Sequence, residues 1–138
     1  MLWRAVSNCL PTCSQFIQMH VKISSYCPRC NQEAETIGHC PSFCSIATAC
    51  WRAARLLGGS AVFSSFGDWF QHQFQWWSKE DKQVGAILCW VIWHDQNNKV
   101  WNGKSNSVKN VVAFAKCDLE QCYSATSIPS GILDVMIQ

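Results

Sequence analysis

Between Cys27 and Cys44 the chain reads CPRCNQEAETIGHCPSFC, so three cysteines and one histidine follow the spacing C-x2-C-x8-H-x4-C. Few patterns restrict a fold as sharply. A C-x2-C turn brings two thiolates to one side of a tight bend, and a second pair across a polar loop completes four donors. Zinc suits that set because it has no ligand-field preference and accepts four sulfur or nitrogen ligands in a tetrahedron. Cys27, Cys30, His39 and Cys44 are the candidate metal ligands. Cys40, beside His39, competes for the third place. The four-residue gap from His39 to Cys44 matches the second half of a zinc knuckle, whereas Cys40 leaves three, so spacing favours His39. A shell closed by four protein donors has no open position for water, which marks a structural site and argues against hydrolytic chemistry.

Ten cysteines in 138 residues raise the opposing reading of a secreted disulfide scaffold. The opening MLWRAVSNCLPTC lacks a charged start, an apolar stretch and a small-residue cleavage site, so an intracellular address, nuclear included, is expected rather than secretion. In a reducing compartment this spacing points to metal, not to bridges. Apolar residues make up 49% and charged residues 14%, a balance that argues against disorder. Net charge is only +2, so any nucleic-acid role must rest on a local patch. The longest apolar run, Val84 to Trp93, is about half of the ~20 residues that a bilayer crossing needs, and it reads as a core helix with no membrane partner.

The expected architecture is mainly α, with a small knuckle-like module flanked by short helices and followed by a helical C-terminal segment. The division falls at residues 1–58 and 59–138. LWRAVSN suggests a first helix stopped near Pro11, and Cys13 to Val21 a second behind Thr12. Thr36 is placed to cap a brief turn carrying His39, with Pro41 limiting its length. After Cys44, the stripe Ile46, Ala49, Cys50, Ala53, Leu56 and Leu57 predicts a helix ended by Gly58-Gly59. FGDWFQHQFQWW predicts another, with Phe66, Trp69, Phe70 and Trp77 on one face. Ser78 and Asp81 form a capping box for a long helix that Gly103 stops. A last helix starts near Ser107, carries Val108, Val111, Val112 and Ala115 inward, and ends before Pro129.

Read together, these features resemble the zinc-binding domain that follows the reverse transcriptase of plant non-LTR, LINE-like retrotransposons. The residues that carry the likeness are Trp3-Arg4, Asn8-Cys9-Leu10-Pro11-Thr12, Cys27-Pro28-Arg29-Cys30, Glu35-Thr36, His39, Cys44 and Trp51, in that order. The resemblance implies zinc on Cys27, Cys30, His39 and Cys44. Leu88 to Ser105 looks like the linker toward an RNase H-like domain in such polyproteins. Partners implied are RNA or DNA and the neighbouring reverse transcriptase or RNase H domains. Met19 and His20 depart from the pattern where relatives carry basic residues, and Pro41 departs where they carry helix.

Lys22, Arg29, Arg52 and Arg55 make a candidate phosphate-contacting patch, although the same cations equally suit a solvated helix face. Of the eight tryptophans, Trp69, Trp77, Trp90 and Trp93 sit in apolar helical patterns and are expected in the core. Trp101, between Lys99 and Lys104, is the better candidate for stacking on a base. The nine acidic residues are scattered without the carboxylate set of a two-metal ribonuclease or polymerase, and His72 and His94 lack triad-like company. The expected function is therefore a non-catalytic zinc module derived from a retroelement and binding nucleic acid. A structural or protein-interaction remnant without activity is the alternative.

Overall fold

The structure is a computed structural model and describes residues 4–5, 12–58 and 61–125. Arg4 and Ala5 are helical, and the rest of the first expected helix, like the end near Pro129, lies outside those residues. The described elements run α1 (Cys13–Gln18), a π-helical turn (His39–Phe43), α2 (Ser45–Ala53), α3 (Phe66–Trp76), α4 (Lys79–Asn102) and α5 (Val108–Ala125). Among the described residues extended pairing is limited to one antiparallel bridge, Tyr26 to Ala34, which closes the loop bearing the C-x2-C turn. The fold is mainly helical, as expected. No helix among the described residues is long and apolar enough to cross a membrane.

Local chemistry sets most helix ends. The Ser78 hydroxyl accepts from the Asp81 N–H at 3.1 Å while the Asp81 carboxyl accepts from the Ser78 N–H, so the expected capping box starts α4. Gly103 ends it in the left-handed region at φ 69°, donating its N–H to the Lys99 carbonyl. Ser65 caps α3 by accepting from the Asp68 N–H. The Ser107 hydroxyl accepts from the Asn110 N–H at the start of α5.

Helix α2 departs from expectation. It ends at Ala53 rather than running to Gly58-Gly59. Arg55 takes φ 60°, its N–H donates to the Arg52 carbonyl, and the Leu56 N–H reaches back to the Trp51 carbonyl. These are the paired bonds of a Schellman motif, with arginine where glycine is usual. The early stop releases the Leu56 carbonyl to accept from the Trp77 indole at 3.0 Å. It also lets Gly58 exchange two hydrogen bonds with the buried Gln73 amide. The buried face is turned as well: Ala47, Cys50, Trp51 and Ala54 point inward, while Ala53 is exposed.

One apolar core joins residues on both sides of the expected division at 58/59. Trp51 is fully buried at its centre, stacked on Trp77 at 5.8 Å and edge-on to Trp69 at 5.0 Å. Phe66, Phe70, Leu88, Cys89, Ile92, Val111 and Ala115 complete it. Helix α5 packs on both α4 and α2, and α4 also meets the π-helical turn. A Cβ on Gly85 would sit 2.5 Å from the Trp77 ring, so the close approach of α4 to Trp77 requires glycine there. Leu88 to Asn102, read as part of a linker, is helix, and Leu88, Cys89, Val91 and Ile92 within it are core. Trp90 corrects the expectation for its class: it is 44% exposed and stacks on His94 at 5.0 Å. An apolar run on a helix buries only the stripe that faces its neighbours, and Trp90 lies off that stripe.

A candidate zinc centre

Each donor of the knuckle is delivered by a distinct backbone device. The Asn31 N–H closes the C-x2-C turn onto the Cys27 carbonyl at 2.8 Å, and Asn31 takes the left-handed φ of 54° that asparagine tolerates better than most residues. The Cys27 N–H donates to the Glu33 carbonyl, and the Glu35 N–H donates to the Ser25 carbonyl, holding the loop as a narrow bend. Beyond it, the Thr36 hydroxyl accepts from the His39 N–H at 3.1 Å, the capping expected for that threonine. The turn it starts is wide: the Cys44 N–H bonds to the His39 carbonyl five residues back, at 2.7 Å. Pro41 supplies no N–H, and its ring would clash with the carbonyl four residues back in a tighter helix. The wide turn places His39 and Cys44 on one side.

The structure brings Cys27, Cys30, His39 and Cys44 together, with one ligand atom of each lying within 4.8 Å of the others. The Cys30 sulfur is 3.3 Å from His39 Nε2, and the Cys27 and Cys44 sulfurs are 3.8 Å apart. Cys27, Cys44 and His39 are buried. Cys40 is buried too but stands outside the group. Cys27, Cys30 and Cys44 are free thiols, so no bridge competes for these sulfurs. On the far side of the imidazole, the exposed Glu33 carboxyl comes within 3.2 Å of His39 Nδ1. It is not aligned for a hydrogen bond, and Nδ1 is otherwise without a partner.

Electrostatics set Cys27 apart from the other buried thiols. Burial pushes the Cys50 thiol up to about 11 and raises Cys40 and Cys89 as well, the behaviour of inert core cysteines. Cys27 moves the opposite way, because the Cys44 thiol donates to it and outweighs burial, with His39 and the Cys30 N–H adding to the effect. Cys44 correspondingly retains its proton, held chiefly by Cys27, although the N–H groups of Ile46 and Ala47 at the start of α2 oppose that. His39 is raised to about 9, first by its contact with Cys27. Three sulfurs and one imidazole within reach of one another, once deprotonated, are a donor set that fits a divalent soft-to-borderline cation.

A family model described as zinc-binding in reverse transcriptase matches residues 1–51. These residues are similar to a reverse transcriptase zinc-binding domain. No curated protein and no solved structure matches the chain. The family is a zinc-binding one rather than a catalytic one, and zinc is its cofactor.

The matched segment ends at a residue that anchors it. Trp51, last in the matched segment, donates its indole N–H to the Pro41 carbonyl at 2.7 Å and so ties the His39 turn to the core. Of the four cations proposed for phosphate contact, Lys22, Arg52 and Arg55 are exposed and Arg29 is not. Arg29 pairs with Asp95 of α4 and also donates to the Asn106 carbonyl. Its charge is neutralised inside the protein, which removes it from the phosphate patch. Sequence reasoning gave no site role to three polar residues that surround the donors. Glu35 accepts from the Cys13 N–H at 2.8 Å, Asp95 holds Arg29, and the Gln96 amide lies 3.2 Å from the Cys27 sulfur. For Asp95 and Gln96 the available signal was a polar pair one residue beyond the apolar run that ends at Trp93.

Proposed function

We propose that Cys27, Cys30, His39 and Cys44 hold one zinc ion in a structural role, and that the domain so stabilised binds RNA or DNA without catalysing a reaction. The convergence of four donor atoms within 4.8 Å carries the first part. When bound, zinc would supply a cross-link of four ligands to a loop whose own residues are mostly exposed and polar. Four protein donors fill a tetrahedron, which leaves no coordination position for a substrate and supports the non-catalytic reading. Metal analysis tests it: one zinc per chain is expected, lost on Cys27→Ala or Cys44→Ala.

Exposed Lys22, Arg52 and Arg55 support the second part. Arg52 and Arg55 lie at the C-terminal end of α2, the helix that begins directly after Cys44. Cations of this kind contact phosphates and carry no base specificity, so affinity should fall steeply with salt. Fluorescence anisotropy with single-stranded and duplex oligonucleotides is the measurement. Neutralising Arg52 and Arg55 together should reduce the salt slope by about 2. Absence of binding at low salt would refute this half of the reading and leave the zinc half standing.

A protein-interaction remnant is the second reading, and exposed aromatics favour it. Trp76 is 77% exposed, Trp101 63%, and Phe114 on α5 is also open. Neighbouring reverse transcriptase or RNase H domains of a parent polyprotein are the partners this reading implies, in an intracellular or nuclear setting. The exposed aromatics of α3, α4 and α5 would then be part of the surface that once met them. Self-association in light scattering supports it, and a clean monomer counts against it.

A further inference from the structure

We infer that Gln96 is a positioning residue for the metal site, its side-chain amide donating to the Cys27 sulfur, so that α4 forms part of the zinc-binding unit although it lies outside residues 1–51. The inference rests on zinc occupying the four-donor cluster. Gln96 Nε2 is 3.2 Å from Cys27 Sγ and 2.8 Å from Glu35 Oε1, so both amide hydrogens have acceptors. The opposite amide orientation would turn its oxygen toward a sulfur and a carboxyl oxygen, which offer no proton to it when both are ionised. Orientation is therefore set by chemistry as well as by packing.

Three zinc-bound thiolates exceed the metal's charge by one, and that excess must be offset where water cannot reach. Cys27 is fully buried and Gln96 is 3% exposed, so the amide stands in for the missing solvent. Asp95 sets its register. That neighbour holds Arg29, within the C-x2-C turn, and accepts from the Asn106 N–H and side-chain amide at 2.9 and 2.8 Å. The Glu35 carboxyl extends the chain, since its other oxygen accepts from the Cys13 N–H. Helix α4 thus reaches the metal loop through two adjacent residues, one pairing with its arginine and the other with its sulfur.

The test uses the full chain, with Gln96→Leu removing the donor at similar volume and Gln96→Asn withdrawing the amide by one methylene. Zinc affinity is read by chelator competition, and the sulfur-to-metal charge-transfer band is read with cobalt in place of zinc. Both variants are expected to bind zinc about 10- to 100-fold more weakly. The cobalt band should move to longer wavelength, because a sulfur without its N–H donor gives up charge more easily. If Gln96→Leu yields no folded protein by circular dichroism, Gln96→Asn decides. Wild-type affinity and an unmoved band in the folded variants, with or without loss of stability, would overturn the inference and leave the zinc reading intact. A wild-type chain that takes up neither zinc nor cobalt would instead overturn the zinc reading beneath it.

Discussion

Arg29 and Asp95 form a buried ion pair across 66 residues of sequence, joining the middle of the C-x2-C turn to helix α4. The guanidinium that lies among the metal ligands in sequence is thereby committed to the C-terminal segment in space.

Breaking that pair should unequally destabilise the protein. Asp95→Ala strands the buried Arg29 charge and also removes the acceptor of two Asn106 donors, whereas Arg29→Met leaves Asp95 with Asn106 still bonded. Losses of about 3–5 kcal/mol for Asp95→Ala, and less for Arg29→Met, are expected in urea denaturation of the zinc-loaded protein. Equal losses would show that Asn106 contributes nothing.

His39 and Cys40 are adjacent, and the structure aims only the first at the other donors. His39→Ala should abolish stoichiometric zinc, while Cys40→Ala should retain one zinc per chain. Elemental analysis after gel filtration separates the two. Zinc lost from Cys40→Ala but kept in His39→Ala would reverse the assignment.

Zinc uptake should release protons and strengthen as pH rises. In the metal-free cluster at pH 7, His39 is protonated because its pKa is raised to about 9, and Cys44 keeps its thiol proton, whereas Cys27 has already lost its own. At least two protons must therefore leave as the metal enters. Affinity then climbs by roughly tenfold per proton per pH unit through neutrality, and His39 stops contributing above about 9. Chelator competition between pH 6 and 8 checks the slope, and a flat profile would contradict this protonation scheme.

Trp51 links metal turn and core, so its two functions separate by substitution. Trp51→Phe keeps an aromatic ring in the stack but removes the donor to the Pro41 carbonyl. A loss of about 1–3 kcal/mol from the unpaired carbonyl and smaller ring is expected, with weaker zinc binding because the His39 turn loosens. Trp51→Ala should lose about 3–5 kcal/mol and the cooperative unfolding transition with it. Thermal melts with and without chelator measure both.

Much of the helical skeleton was legible because its signals are local. The Ser78 and Asp81 capping box, the Gly103 stop and the Thr36 contact with His39 each involve residues a few positions apart, and backbone geometry alone brings such groups together. The donors of the C-x2-C-x8-H-x4-C pattern likewise lie within one loop and the turn after it. The end of α2 was not legible, since Gly58-Gly59 offered the better local stop. Hydrogen bonds from Trp77 and Gln73 to the Leu56 and Gly58 backbone belong instead to the earlier exit through Arg55. Trp90 was misread for a related reason: a continuous apolar run does not say which helix faces find neighbours.

Sequence alone determined the mainly helical class, the principal caps and the candidate donor set, because spacing and propensity act over a few residues. Tertiary structure decided that Arg29 faces Asp95 rather than phosphate, that Gln96 meets Cys27, and that one core continues past residue 58. Those outcomes depend on burial, which makes an unpaired charge or amide too costly to leave and so selects partners many residues away.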